Sequence, residues 1–131
     1  MNLKAMLKKH EGFREKPYRC TADKLTIGYG RNLDDVGITR EEAEYLLDND
    51  IKKATFDALS IFPLLKSYSE ARQAVLINMV FNLGKTRFRG FKNFIKAVKS
   101  EDWERAAVEM EDSLWYKQVG KRAKELQEAI R

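Results

Sequence analysis

Three side chains able to do chemistry stand near one end of the 131-residue chain at fixed intervals: Glu11, then eight residues to Cys20, then five to Thr26. Leu3, Met6 and Leu7 recur at helical spacing, so residues 2–11 read as a short amphipathic helix that Gly12 stops. Glu11 falls on the apolar stripe, one turn beyond Leu7, and at the helix end whose carbonyls carry partial negative charge. An apolar setting and a negative helix end both disfavour the carboxylate and raise its pKa. A carboxylic acid kept protonated near neutral pH can serve as a general acid. The same position also fits a surface glutamate or one member of an ion pair. Cys20, the single cysteine, reads as a small buried hydrophobe or, near positive charge, as a thiolate. Thr26 alone is an ordinary strand residue. His10, the single histidine, reads as a solvated helix-end residue.

The elements that must carry these groups follow from pattern and punctuation. Tyr18-Arg19-Cys20 and Leu25 to Tyr29, separated by Thr21-Ala22-Asp23-Lys24, predict a small hairpin. Gly28 and Gly30 alternate on its second strand and mark a close approach of backbone or ligand, or a bend. Thr39 and Glu42 form a capping box. It opens a helix to about residue 58 with Ala43, Leu46, Leu47, Ile51 and Ala54 on one face. Pro63 interrupts. Ser69 and Glu70 start an apolar helix through Val75, Leu76, Met79, Val80 and Phe81 that stops near Gly84. Further helices are predicted at Phe91–Lys99, Trp103–Asp112 and Lys121–Ile130. Phe81, Phe88, Phe91, Phe94, Trp103, Trp115 and Tyr116 are expected mostly in the core, with one or two at a cleft edge. The expected fold class is α+β: a small β-hairpin lobe over about 12–35 and a larger helical lobe over about 60–131, joined by a long helix with a cleft between. One domain, 1–131, holds both.

Composition narrows the function classes. With 44% hydrophobic and 34% charged residues the chain is globular rather than disordered. No apolar run is long enough to predict a membrane span. The first ten residues carry charges where a secretion signal would be apolar, so none is read. One cysteine excludes an internal disulfide framework, and no metal site is expected. The net charge of +5 is uneven: residues 1–51 hold 9 basic and 10 acidic side chains, residues 52–131 hold 16 and 10. From Ala71 to Ser100 there is no acid, but Arg72, Lys85, Arg87, Arg89, Lys92, Lys96 and Lys99 are present. Such a face attracts polyanions, or simply keeps a helix solvated.

The ordered motifs add a resemblance. Glu11-Gly12-Phe13-Arg14, Tyr18, Cys20-Thr21 and Thr26-Ile27-Gly28-Tyr29-Gly30 resemble phage-type lysozymes of glycoside hydrolase family 24, the endolysins or muramidases. That family carries Glu, eight residues, Asp or Cys, five residues, Thr. A second block holds Ile77-Asn78-Met79-Val80-Phe81, Gly84, Thr86, Gly90-Phe91 and Asn93. A third holds Trp103-Glu104, Ala106-Ala107-Val108, Trp115-Tyr116 and Arg122-Ala123-Lys124. Both are similar to the family's T-even phage branch. The resemblance covers nearly the whole chain and is weakest over Leu59–Tyr68, where this chain is shorter.

The resemblance implies a lysozyme-like catalytic domain without cofactor. It would hydrolyse the β-1,4 bond between N-acetylmuramic acid and N-acetylglucosamine in peptidoglycan and so lyse the host cell. Glu11 would protonate the leaving oxygen, Thr26 would hold the attacking water, and Arg122 would pair with Glu11. Gly30, Asn32 and Phe81 would stand at the saccharide cleft. Cys20 replaces the aspartate of many relatives and would act as a thiolate. With a single carboxylate, the rule that reads retention or inversion from carboxyl separation gives no answer. Asn32, Phe94 and Glu109 differ from the T-even branch at its cleft. The expected partners are glycan strands and, through the basic lobe, an anionic envelope; no nucleic acid is expected, and the protein is expected to be monomeric. The host cytoplasm is the expected location, with a separate pore giving access to the wall. A lytic transglycosylase, a non-catalytic basic wall-binding module and a nucleic-acid-binding module are the alternatives.

Overall fold

The computed structural model describes residues 2–131. Helix α1 (Leu3–Glu11) starts at Asn2, whose Oδ1 accepts the Ala5 N–H at 3.1 Å. It ends at Gly12, where φ is +70° and the N–H returns to the Lys8 carbonyl at 2.9 Å. Gly12 is the expected stop, while Asn2, expected as the first helical residue, is instead the cap.

Strands β1 (Arg14–Arg19), β2 (Leu25–Gly28) and β3 (Arg31–Asn32) form an antiparallel sheet in the order β1-β2-β3. The expected two-stranded hairpin is therefore three-stranded, and β1 begins four residues earlier than Tyr18. Tyr18 pairs with Thr26 and Thr26 with Asn32, while the β1–β2 register is irregular between Arg14 and Tyr18. Pro17, with no N–H to give the ladder, sits in that irregular stretch of an edge strand. Gly28 ends β2, and Gly30 lies in the turn before β3 rather than on the strand.

Helix α2 (Arg40–Ile61) opens on the capping box. The Thr39 hydroxyl accepts the Glu42 N–H at 3.1 Å, and a Glu42 carboxylate oxygen accepts the Thr39 N–H at 2.9 Å. The helix runs three residues past its expected end. Its expected apolar face is buried only at Ala54; Ala43, Leu46, Leu47 and Ile51 are exposed.

The chain divides into two compact units, one through Leu46 and one from Leu47 to Arg131. Every buried apolar residue among the described residues lies at Ala54 or beyond. After a short 3-10 turn (Leu65–Ser67) come α3 (Glu70–Leu83), α4 (Lys85–Phe88), α5 (Lys92–Lys99), α6 (Trp103–Glu111), α7 (Leu114–Val119) and α8 (Lys121–Ile130). Ser69 caps α3 through the Arg72 N–H, and Gly84 closes it at a φ of +81°. Neither α4 nor α7 was expected. The core of this unit is built on fully buried Phe62, Phe88 and Phe94, packed edge to face with centroids 5.9 and 6.0 Å apart. Buried Gln127 ties α8 to its neighbours: it donates to the Ala107 carbonyl at 2.8 Å and accepts the Tyr116 hydroxyl at 3.0 Å.

Candidate active site

Glu11 closes α1 and faces the β2–β3 turn. A Cβ built on Gly30 would lie 2.9 Å from the Glu11 carboxyl carbon and from its Oε2, so the carboxyl rests where any larger residue would put its side chain. Gly30 also has a φ of +81°, which L-residues rarely adopt. The close approach expected at Gly30 is real, and the partner is the acid itself. At Gly28 the φ is +68°, but nothing lies within 4 Å of a built Cβ.

The apolar setting expected for Glu11 is absent. Leu3 is 66% and Leu7 46% exposed, no residue of α1 is buried, and Glu11 is exposed as well. The stripe exists in the sequence, but among the described residues nothing in the amino-terminal unit covers it. Aromatic rings stand nearby instead. Phe13 and Tyr29 pack with centroids 5.6 Å apart, and the Lys8 ammonium sits 5.4 Å from the Tyr29 ring centroid.

Cys20 sits just past β1, at the mouth of the turn into β2. Its own N–H donates to the Lys24 carbonyl at 3.0 Å, and its carbonyl accepts the Asp23 N–H at 2.9 Å. The side chain is half-buried and free. The thiol is lowered from its ordinary pKa, first by the Lys24 backbone N–H, then by that of Ala22 and by the Thr26 hydroxyl. The lowering comes from turn amides and a hydroxyl, not from the positive charge beside which a thiolate was expected. Thr26 is 4% exposed, and its hydroxyl donates to the Lys24 carbonyl at 2.9 Å. One hydroxyl has one proton, so its bonds to the Lys24 carbonyl and to the Cys20 sulfur alternate.

Asn32 is committed locally. Its Nδ2 donates to an Asp35 carboxylate oxygen at 3.0 Å, and its Oδ1 accepts the Asp35 N–H at 3.0 Å. Its neighbour Arg31 forks onto Glu42, with Nη1 2.7 Å from one carboxylate oxygen and Nη2 bonded to the other. The Arg31 guanidinium holds the Glu42 carboxyl at about 2, aided by the Thr39 N–H, and the Arg31 pKa is raised in turn.

Glu11, Cys20, Thr26, Gly30 and Asn32 belong to the amino-terminal unit; Phe81 and Arg122 belong to the helical one. There, Ile51, Ala74, Ile77, Asn78, Phe81 and Arg122 line a recess of about 420 Å³. Phe81 is 43% exposed at that recess rather than buried in the core. The Arg122 Nε and Nη2 both donate to Asn78 Oδ1, at 3.1 and 2.6 Å. Asn78 is not among the expected site residues. Its signal was an amide inside the stripe Ala74, Ile77, Phe81 of α3.

A small antiparallel sheet, a helix-end glutamate against its turn and a mostly helical body define an α+β, lysozyme-like glycoside hydrolase. The phage lysozyme family matches residues 8–129, and the chain belongs to that family. The pre-baseplate central spike protein Gp5 of Enterobacteria phage T4 is 30% identical over 151 aligned positions, covering 94% of this chain and 26% of that protein. The endolysin of Acyrthosiphon pisum secondary endosymbiont phage 1 is 33% identical over 108, covering 79% of this chain and 71% of that one. Probable T4-type lysozyme 1 of Dictyostelium discoideum is 29% identical over 151, covering 93% and 89%. The chain thus spans about a quarter of the T4 protein but most of the other two.

Proposed function

We propose that this chain is a muramidase that hydrolyses the β-1,4 bond between N-acetylmuramic acid and N-acetylglucosamine and thereby breaks down a host cell wall. The observation that carries the reading is the Glu11 carboxyl resting against Gly30, a position that only glycine leaves open. Glu11 donates its proton to the leaving oxygen as the sugar gains positive charge. The Thr26 hydroxyl proton goes to the Lys24 carbonyl or to the Cys20 sulfur, so a water held by Thr26 must donate to it and keeps an oxygen lone pair for the anomeric carbon. Cys20, favoured as thiolate by the turn amides, supplies the negative charge that a second carboxylate gives in other glycosidases and takes the proton that the attacking water releases, while Glu11 is left ionised.

The experiment is mass spectrometry of fragments released from purified peptidoglycan, with Glu11→Gln alongside. The expected products carry reducing, hydrated muramic acid ends and are missing with Glu11→Gln. Anhydro ends would make the enzyme a lytic transglycosylase and remove the water-holding role of Thr26. Full alkylation of Cys20, verified on the intact protein, is expected to abolish release; unchanged release would remove its role as a thiolate.

A further inference from the structure

The helical unit carries a row of cations that the active site does not use. Lys85 and Arg87 lie on α4, Arg89 at its end, and Lys92, Lys96 and Lys99 on α5. All but half-buried Lys85 are exposed. No acid occurs from Ala71 to Ser100, and among the described residues none of the six is ion-paired. Other helical segments of the unit match their charges at i, i+4: Lys53 with Asp57, Arg105 with Glu109, Lys121 with Glu125. On α5, Lys92, Lys96 and Lys99 repeat one sign at i, i+4 and i+7, which disfavours the helix. The opposite face, with buried Phe94, Ala97 and Val98, anchors α5 in the core regardless. An unneutralised row on a rigid support is what a polyanionic partner fits.

We propose that this row docks the carboxylate-bearing peptides of the wall polymer, a proposal that rests on the peptidoglycan reading above. Three observations select that partner. The large apolar residues of α4 and α5 are buried (Phe88, Phe94 and Val98) or half-buried against the core (Ile95), so the face has little to insert into a lipid layer. Those same phenylalanines are unavailable as stacking platforms for single-stranded nucleic acid. Lysines predominate; each is a point charge on a flexible stem that suits carboxylates spread irregularly along peptides.

The test is co-sedimentation of the Glu11→Gln chain with three polymers: intact peptidoglycan, peptidoglycan with its carboxyl groups amidated, and glycan stripped of peptides. Binding is expected to be about tenfold weaker to the second and third, the size expected from losing a few exposed ion pairs. The substitutions Lys92→Gln, Lys96→Gln and Lys99→Gln together are expected to weaken binding to intact polymer by about the same factor and to leave binding to the other two unchanged. In the active chain the triple variant is expected to raise KM on intact wall at unchanged kcat. Equal binding to all three polymers would overturn the docking surface. So would a triple variant that binds intact wall normally while losing affinity for anionic vesicles or duplex DNA. Selective, lysine-dependent binding by a chain that releases no fragments would support the docking surface and remove the muramidase reading instead.

Discussion

At the scale of single residues, the two glycines flanking Tyr29 separate backbone strain from site geometry. Gly28 and Gly30 have φ values of +68° and +81°, so alanine at either costs roughly 1–2 kcal/mol of left-handed strain. Only at Gly30 does the added methyl meet the Glu11 carboxyl, at 2.9 Å. The carboxyl is the far end of a flexible side chain and can move aside, so the added clash is expected to cost little stability. Gly28→Ala and Gly30→Ala are therefore expected to lower the melting temperature by similar amounts, while only Gly30→Ala lowers kcat far beyond that of Gly28→Ala. Equal activity in the two variants would show that the resting place of Glu11 does not matter to the chemistry. The motif itself was legible in the sequence, because Glu11, Cys20 and Thr26 sit at a recognisable spacing. The environment of Glu11 was not, since helical periodicity marks which residues could be buried and says nothing about whether an element arrives to bury them.

At the scale of elements, legibility followed local chemistry. The Gly12 stop, the Thr39–Glu42 box and the Ser69 cap each rest on side-chain or backbone rules within a few residues, and all three are realised. Strand β3 has two residues, α4 four and α7 six, too short for any period to register. The Thr39–Glu42 box hid a further partner. Arg31, eleven residues before Glu42, forks onto the same carboxylate and ties β3 to the start of α2. Nothing local in the sequence encodes that pair. It sets a pH dependence. The Glu42 carboxyl drops from 4.5 to about 2 on folding, so its contribution is fully present above 4.5 and is lost as pH falls from there toward 2. Glu42→Gln is expected to destabilise the fold at pH 7 and to flatten the stability profile between those limits, read by urea titration at each pH. A variant with the parental acid slope would show that Arg31 does not hold that proton off.

At the scale of the whole molecule, the two units differ in what stabilises them. Among the described residues the apolar core lies entirely from Ala54 onward, whereas the amino-terminal unit buries Thr26 and leaves Phe13, Tyr29, Val36, Ile38 and Tyr45 exposed. Hydrophobic burial is the main favourable contribution to folding, so the unit that carries Glu11, Cys20 and Thr26 is held chiefly by sheet hydrogen bonds, caps and the Arg31–Glu42 pair. Local opening is expected to concentrate there. Both tryptophans, Trp103 and Trp115, lie in the helical unit, so their fluorescence follows that unit alone. As urea rises, activity is expected to disappear, and amide exchange at Tyr18, Thr26 and Asn32 to accelerate, before tryptophan fluorescence changes. Leu76→Ala, by contrast, empties a fully buried position of the helical unit and is expected to cost about 2–5 kcal/mol, moving the fluorescence transition toward lower urea. If activity and fluorescence instead fell together in the unsubstituted chain, the sheet and the helical core would unfold as one cooperative block, and the stability of the active site would be set by the core after all.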